Sequence, residues 1–139
     1  MKKILTLLLC LFLFAGIACA ATVNSYDKYV TKTGSYRSTS SGYNSYDKHG
    51  TKTGSYRKTS SGYNTYDKQG NKTGSYRKTS SGYNSYDKHG RKTASYRRNS
   101  NGSVTKYDKH GNKVGTYKTN SSGKTTYYDK HGRKVKSYK

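Results

Sequence analysis

Residues 46–65 read Tyr-Asp-Lys-His-Gly-Thr-Lys-Thr-Gly-Ser-Tyr-Arg-Lys-Thr-Ser-Ser-Gly-Tyr-Asn-Thr, and the chain contains six copies of this unit. The first four copies start 20 residues apart and the last two gaps are 21 residues, with starts at Tyr26, Tyr46, Tyr66, Tyr86, Tyr107 and Tyr128. Such regularity is typical of an array in which each copy contacts mainly its neighbours. It argues against an enzyme, because a catalytic site brings unlike residues together, whereas nearly every polar group recurs in every copy.

The start of the chain differs from the rest. Lys2 and Lys3 precede an apolar run, and Ala18-Cys19-Ala20 supplies a small-x-small cleavage pattern. This arrangement is typical of a bacterial secretory signal peptide, so we expect a protein that is secreted, periplasmic or held at the cell surface. No later segment is apolar enough for a transmembrane span. The predicted divisions are a signal peptide over residues 1–20, a short lead over 21–25 and six tandem repeats over 26–139.

The composition after the leader excludes an ordinary aliphatic core. Neither Leu nor Ile occurs after residue 20, whereas all 17 tyrosines do. Any core must therefore be built from tyrosine, which can bury its ring and leave its hydroxyl hydrogen-bonded. Two of the 28 Lys and Arg lie in the leader, so 26 oppose six Asp, a net charge of +20. Low hydrophobicity with such a charge is also typical of disorder, so a largely disordered chain is an alternative.

Each copy contains two turn signals, Asp47-Lys48-His49-Gly50 and Thr59-Ser60-Ser61-Gly62. Both suit a type I turn followed by a glycine at positive φ, the usual three-residue hairpin loop. The Tyr-, Thr- and Ser-rich segments between them favour strands. We predict an all-β antiparallel hairpin meander, a single-layer strip with two strands per copy. A β-solenoid with one coil per copy is the structural alternative, although it would stack Lys on Lys and Arg on Arg. The predicted turn tips are Gly50, Gly62, Gly70 and Gly82.

Three-residue loops at both turns would fix the register. Tyr46 would lie opposite Lys52, and Tyr56 opposite Tyr66. Alternation would then place Tyr46, Lys52, Gly54, Tyr56 and Tyr66 on one face, and Tyr43, Ser45, Thr53, Ser55, Arg57 and Tyr63 on the other. The extra residue before Tyr107 and before Tyr128 is interpreted as a β-bulge or a local change of twist. The predicted cross-strand tyrosine pairs are Tyr36–Tyr46, Tyr56–Tyr66, Tyr76–Tyr86 and Tyr117–Tyr127.

Two segments carry a resemblance to a known family. Tyr107-Asp-Lys-His-Gly-Asn-Lys-Val and Gly123-Lys-Thr-Thr-Tyr-Tyr-Asp-Lys-His-Gly-Arg-Lys-Val135 resemble the YD repeats of Rhs-type bacterial surface and secreted proteins. The resemblance implies an exported protein whose repeats form β-hairpin strips that contact surfaces or carbohydrate.

The histidines and aspartates of the repeat are interpreted as turn residues. His49, His89, His110 and His131 each follow an aspartate by two positions, and two ligands at one turn are too few for a zinc site. The equivalent position is Tyr29 in the first copy and Gln69 in the third, so the unit does not require histidine. We therefore predict no catalytic, metal or cofactor site.

The alternation of cations with tyrosine is the feature that predicts a function. A basic surface attracts polyanions through counterion release, and exposed rings stack on sugars or bases. The expected partner is an anionic polysaccharide or another extracellular polyanion, such as lipopolysaccharide, teichoic acid or extracellular DNA. Two alternatives stay open: a structural protein whose strips associate edge to edge, and a cationic antimicrobial or toxin-like effector. The predicted binding residues are Arg37, Arg57, Lys58, Arg77, Lys78, Arg97, Arg98, Tyr43, Tyr63 and Tyr83.

Overall fold

The computed structural model describes residues 22–139, and the predicted signal peptide lies outside them. These residues form twelve β-strands, and no helix within them has the length and apolar character needed to cross a membrane. The strands are β1 Thr22–Asp27, β2 Lys32–Thr39, β3 Gly42–Asp47, β4 Lys52–Thr59, β5 Gly62–Asp67, β6 Lys72–Thr79, β7 Gly82–Asp87, β8 Lys92–Arg98, β9 Val104–Asp108, β10 Lys113–Thr119, β11 Thr125–Asp129 and β12 Lys134–Tyr138. Residues 22–25 of the predicted lead thus belong to β1.

The sheet is a closed barrel. Each strand pairs with its sequence neighbours, and β1 also pairs antiparallel with β12. Backbone hydrogen bonds of 2.8 and 3.1 Å between Asn24 and Lys139 extend this seam. The predicted antiparallel meander is confirmed, whereas the open strip and the solenoid are wrong. Because every strand of residues 22–139 has two partners, the open edges required for edge-to-edge association are not present among them.

The six hairpins that follow the odd-numbered strands lie at one end of the barrel, which we call the aspartate end. The Asp47 hairpin is representative: the Asp47 N–H donates to the Thr51 carbonyl at 2.9 Å, and the Gly50 N–H donates to the Asp47 carbonyl at 3.2 Å. Asp47 Oδ1 accepts the backbone N–H groups of His49 and Thr51, both at 2.9 Å. Gly50 has a φ of 85°. The predicted turn and the capping role of its aspartate are therefore confirmed.

The first copy departs from this turn chemistry. Val30 occupies the position of Gly50 and has a φ of 69°, the one positive φ of a non-glycine residue in the described part of the chain. A β-branched side chain is strained in this region, because its Cβ crowds the following carbonyl oxygen.

Replacing Val30 with glycine should stabilise the barrel. We expect a gain of about 1 kcal/mol, since the left-handed penalty disappears and the lost side chain is 61% exposed. Thermal unfolding followed by circular dichroism measures this. Gly70→Val, at the equivalent position in the third copy, should lower the melting temperature; a Val30→Gly variant that melts earlier than the parent would contradict the strain argument.

The opposite end, which we call the serine end, carries tighter loops than predicted. Thr59 pairs with Gly62, so only Ser60 and Ser61 form the loop. Gly62 begins β5 with a φ of 149°, and a Cβ there would overlap the Tyr76 carbonyl. The glycine is required by this close approach of the next strand. The predicted turn tips at Gly62 and Gly82 are therefore wrong.

The observed serine-end loop is one residue shorter than the predicted loop. Every second strand therefore turns toward the barrel interior the face that was predicted to lie on the other side of the sheet. Tyr56 pairs with Thr65 and with Tyr43, while Tyr66 lies on the other face opposite Ser55. Of the four predicted tyrosine pairs, those in the 20-residue copies are wrong and Tyr117–Tyr127 is confirmed, with ring centroids 4.5 Å apart. The wrong pairs are Tyr36–Tyr46, Tyr56–Tyr66 and Tyr76–Tyr86.

The 21-residue copies explain why the predicted Tyr117–Tyr127 pair is correct. Their extra residue lies in the loop: the Asn99 N–H donates to the Ser103 carbonyl at 2.8 Å, and Gly102 has a φ of 80°. These are the three-residue loops that were predicted throughout. A bulge attributed to the extra residue, before Tyr107 and Tyr128, is therefore wrong.

The register instead shifts once in every hairpin of the aspartate end. Ser45 pairs with Gly54 and Tyr46 with Lys52, so Thr53 is the additional residue. The Thr53 hydroxyl donates to Ser45 Oγ at 2.9 Å, which holds this bulge in place. Bulges increase twist and bend a strand, and six at the same level around the sheet curve it toward closure.

Closure buries a core made of tyrosine. Its rings come from the even-numbered strands and from β3, β5 and β7, with Val23, Ala94 and Val104 filling the remaining places. A single open layer would leave this face in water, so the tyrosines favour the barrel. The predicted tyrosine core is confirmed. The buried tyrosines are Tyr36, Tyr43, Tyr56, Tyr63, Tyr76, Tyr83, Tyr96, Tyr117 and Tyr138.

Candidate polyanion-binding surface

The outer wall carries a repeated stack of a cation on a tyrosine ring. Arg57 on β4 pairs with Asn64 on β5, and Tyr66 lies two residues further along the same face. This places the Arg57 guanidinium 4.8 Å from the Tyr66 ring centroid. The same contact recurs in other copies; we call the set the cation belt. It comprises Arg37 on Tyr46, Arg57 on Tyr66, Arg77 on Tyr86, Arg97 on Tyr107 and Lys118 on Tyr128.

Stacking orients each arginine of the belt. The guanidinium lies over the aromatic ring, and its N–H donors that do not face the ring stay available to a ligand. The arginines are exposed and the rings beneath them are half-buried. Successive stacks are two strands apart, which corresponds to about 10 Å around the wall. The belt is therefore an evenly spaced row of oriented donors.

A second cation lies beside each belt tyrosine. Tyr66 pairs with Lys72 on the following strand, and Tyr46 pairs with Lys52. The ring thus has an arginine above it and a lysine at its side, so each copy contributes two positive charges to the wall.

The acidic residues lie away from the belt arginines. The six aspartates of the chain occupy the turns of the aspartate end, whereas each belt arginine lies near the serine end of its strand. These carboxylates are engaged in their own turns: hydrogen bonds from the backbone and side chain of Arg133 lower the pKa of Asp129. The side chain of Asn71 has the same effect on the pKa of Asp67, followed by its backbone N–H. The positive electrostatic potential of the belt is therefore reduced little by neighbouring acids.

The predicted binding cations separate into two groups. Arg37, Arg57, Arg77 and Arg97 lie in the belt. Lys58, Lys78 and Arg98 lie at the rim of the serine end, where they are exposed and each donates its backbone N–H to a serine carbonyl of the preceding serine-end loop. Adjacent cations such as Arg57 and Lys58 consequently point to different surfaces.

The predicted binding tyrosines Tyr43, Tyr63 and Tyr83 do not lie on this surface. They face the barrel interior and are buried, with the Tyr43 and Tyr63 ring centroids 6.3 Å apart. The expectation that they are exposed to a ligand is wrong, because it rested on the register of a three-residue serine loop.

The rings that do lie on the outer wall were not among the predicted binding residues, and neither was Lys118. The pattern contained a signal, since an arginine precedes a tyrosine by nine residues across each two-residue loop, as Arg57 precedes Tyr66. Only the correct loop length puts the two side chains on one face. The missed rings are Tyr46, Tyr66, Tyr86, Tyr107 and Tyr128.

Within residues 22–139, no group of three or more His, Cys, Asp or Glu side chains comes together in a way that could hold a metal ion. No protein-family model matches the chain, and no curated protein matches it significantly.

Proposed function

We propose that this protein is an exported, non-enzymatic module that binds anionic polymers along its cation belt. The observation that carries the proposal is the recurrence of oriented cations, stacked on tyrosine at one position of each of five hairpins. A linear polyanion that wraps the wall would meet one stack after another, so affinity would accumulate over the copies. The export component rests on residues 1–20, and an extracellular glycan is the partner that this setting favours.

The belt geometry suits carboxylate, sulfate and phosphate groups alike. A guanidinium presents paired N–H donors, which match two oxygens of one anionic group. The lysine beside each ring adds a point charge that tolerates variable ligand geometry. We therefore expect recognition of charge density and spacing rather than of one chemical group.

Removing the belt arginines should weaken heparin binding more than removing the same charge elsewhere. We compare two fourfold variants on a heparin column: Arg37, Arg57, Arg77 and Arg97 to Gln, and the turn-tip residues Lys28, Lys48, Lys68 and Lys88 to Gln. The belt variant should elute at distinctly lower salt. The plot of log affinity against log salt has a negative slope. Its magnitude should decrease by roughly one per lost contact, because each contact releases a counterion.

Point substitutions suit this test better than shortened arrays, because β1 pairs with β12 and deleting copies would open the barrel. Equal elution of the two variants would mean that only net charge matters and would remove the role of the belt. Retention of the parent protein that does not depend on salt would contradict the proposal as a whole.

A further inference from the structure

A polar groove lies on the outer wall across β9, β10 and β11, with lining residues from the last three copies. Its volume is about 500 Å³, within the range of small-ligand sites. The floor is formed by hydroxyl side chains, Ser103, Thr105 and Thr116, and the Tyr128 ring lines one side. The groove runs from the Asn99 loop at the serine end to the Asp129 turn at the aspartate end.

One end of the groove is held by a hydrogen-bond network. Asn99 Nδ2 donates to Ser103 Oγ at 2.8 Å and to Thr105 Oγ1 at 3.0 Å. The Ser103 backbone N–H donates to Asn101 Oδ1 at 3.0 Å, and the Ser103 hydroxyl donates to the same oxygen at 2.7 Å. Since a backbone N–H can only donate, the orientation of the Asn101 amide is fixed. The amide nitrogen of Asn101, a donor, therefore lies on the side of the amide away from Ser103.

The other lining side chains make the groove positive. Lys113, Lys118 and Lys130 line it, together with one acid, Asp129. That carboxylate is paired within its own turn, because Asp129 Oδ2 lies 2.8 Å from Arg133 Nε. Three lysines thus line the groove together with hydroxyl donors and acceptors. An occupant must combine an anionic group with several hydroxyls.

The groove coincides with departures from the repeat. Thr105 replaces the Asn84 of the preceding copy, and Lys118 replaces Arg97. The Asn99 loop has three residues where the earlier loops have two. The first three copies are nearly identical, so these changes among the lining residues make the groove chemically different from the rest of the wall, although it includes the fifth stack of the belt, Lys118 on Tyr128.

We propose that this groove binds one uronic-acid unit of an anionic glycan, with the carboxylate among the three lysines and the ring hydroxyls on the threonine and asparagine side chains. The proposal deepens the proposed function and rests on it. A sugar fits better than a nucleobase, because Lys118 lies over the Tyr128 ring, 5.6 Å from its centroid, where a base would stack. The belt then binds polymer charge in general, and the groove selects the sugar.

The test is an NMR titration of the whole mature protein with sodium glucuronate, with glucose as the neutral comparison. Glucuronate should shift the backbone amide signals of Thr105, Thr116 and Tyr128, and leave those of Ser75 and Tyr66, in earlier copies, in place. Glucose should bind at least about tenfold more weakly, because it lacks the charge-assisted hydrogen bonds.

Two substitutions with matched controls probe the site. Lys118→Gln should weaken glucuronate binding about tenfold or more, whereas Arg57→Gln removes an equal charge from a belt stack outside the groove and should not. Thr116→Val removes a floor hydroxyl at nearly constant volume, and Ser75→Ala removes the equivalent hydroxyl of an earlier copy. Only the first of these two should lower the affinity.

Each contrary result would contradict a different part of the proposal. Shifts spread over all six copies, or equal losses in Lys118→Gln and Arg57→Gln, would overturn the groove while leaving the belt intact. An oligonucleotide that displaces glucuronate and shifts the same signals at lower concentration would overturn the sugar assignment. Loss of salt-dependent heparin retention in the parent protein would overturn the proposed function itself, which keeps the two failures apart.

Discussion

Tyr96→Ala should destabilise the barrel by about 3–5 kcal/mol, the range for deleting a large buried ring, and Tyr107→Ala by less than about 1 kcal/mol. Tyr96 is 1% exposed, and its ring centroid lies 6.5 Å from that of Tyr76 in the core. Tyr107 is half-buried on the outer wall beneath Arg97, where its loss removes one cation–π contact. Urea unfolding followed by circular dichroism measures the difference.

Both residues come from the same hairpin, so the comparison isolates the face on which each ring lies. Lys106 lies 5.8 Å from the centroid of the Tyr96 ring, and truncation would also leave this cation over a cavity. Tyr36→Ala and Tyr46→Ala repeat the comparison in the first hairpin at the serine end. Equal losses within each pair would mean that the rings do not separate into an inner and an outer set.

The turns of the aspartate end could be predicted because their chemistry is local. An aspartate that accepts two backbone N–H groups and a glycine at positive φ are both visible in Asp47-Lys48-His49-Gly50, and the structure forms that turn. Nothing outside the four residues has to be known. The strands on either side follow from the same turn, and so does the pairing of Tyr46 with Lys52.

The loops of the serine end could not be predicted in the same way, because their geometry depends on a strand that is distant in sequence. Gly62 has the composition of a loop glycine, yet its role is to let the Tyr76 carbonyl approach from the next hairpin. That contact is 14 residues away in sequence and has no local signature. A single residue of loop length then decides whether Tyr63 or Tyr66 faces outward, and the candidate site changes with it.

Barrel closure was missed for a related reason. The bulge at Thr53 leaves the hairpin in place and changes only its curvature. The sequence pattern of the hairpin is therefore the same for a strip and for a barrel. The tyrosine content is the sequence feature that could have distinguished a closed barrel from an open strip. A layer with nine tyrosines on one face has no way to bury them without curling or pairing with a second layer.

The same core makes the barrel sensitive to alkali, and the protein should unfold between about pH 11 and pH 12. Burial raises the pKa of Tyr36, of Tyr56 and of Tyr138, in each case with a smaller contribution from neighbouring tyrosines. In the unfolded chain a tyrosine loses its proton near pH 10, roughly its ordinary value. Melting temperature measured from pH 8 to pH 12, together with tyrosinate absorbance, follows both events.

The direction follows from proton binding. Below the unfolded pKa, both states are protonated and the stability contribution of each buried hydroxyl is fully present. Above it, the folded state still holds a proton that the unfolded state has released, so stability falls as pH rises toward the folded pKa. Each tyrosine lowers the free energy of unfolding by about 1.4 kcal/mol per pH unit in this window. Because several buried tyrosines contribute in the same direction, the summed loss becomes a large fraction of the stability of a small domain.

Tyr56→Phe provides the decisive variant. Among the described residues the Tyr56 hydroxyl is buried with no hydrogen-bond partner, so its removal should leave stability at pH 7 unchanged or higher. Above pH 10, the variant should lose stability less steeply than the parent, by about 1.4 kcal/mol per pH unit. Tyr29→Phe is the control, because Tyr29 is 74% exposed and its hydroxyl reaches water in the folded and the unfolded protein alike. Both variants keep every lysine, so relief of charge repulsion at high pH is the same in each. Identical slopes in Tyr56→Phe and Tyr29→Phe would show that Tyr56 ionises in the folded barrel, and that its ring is not buried in the core.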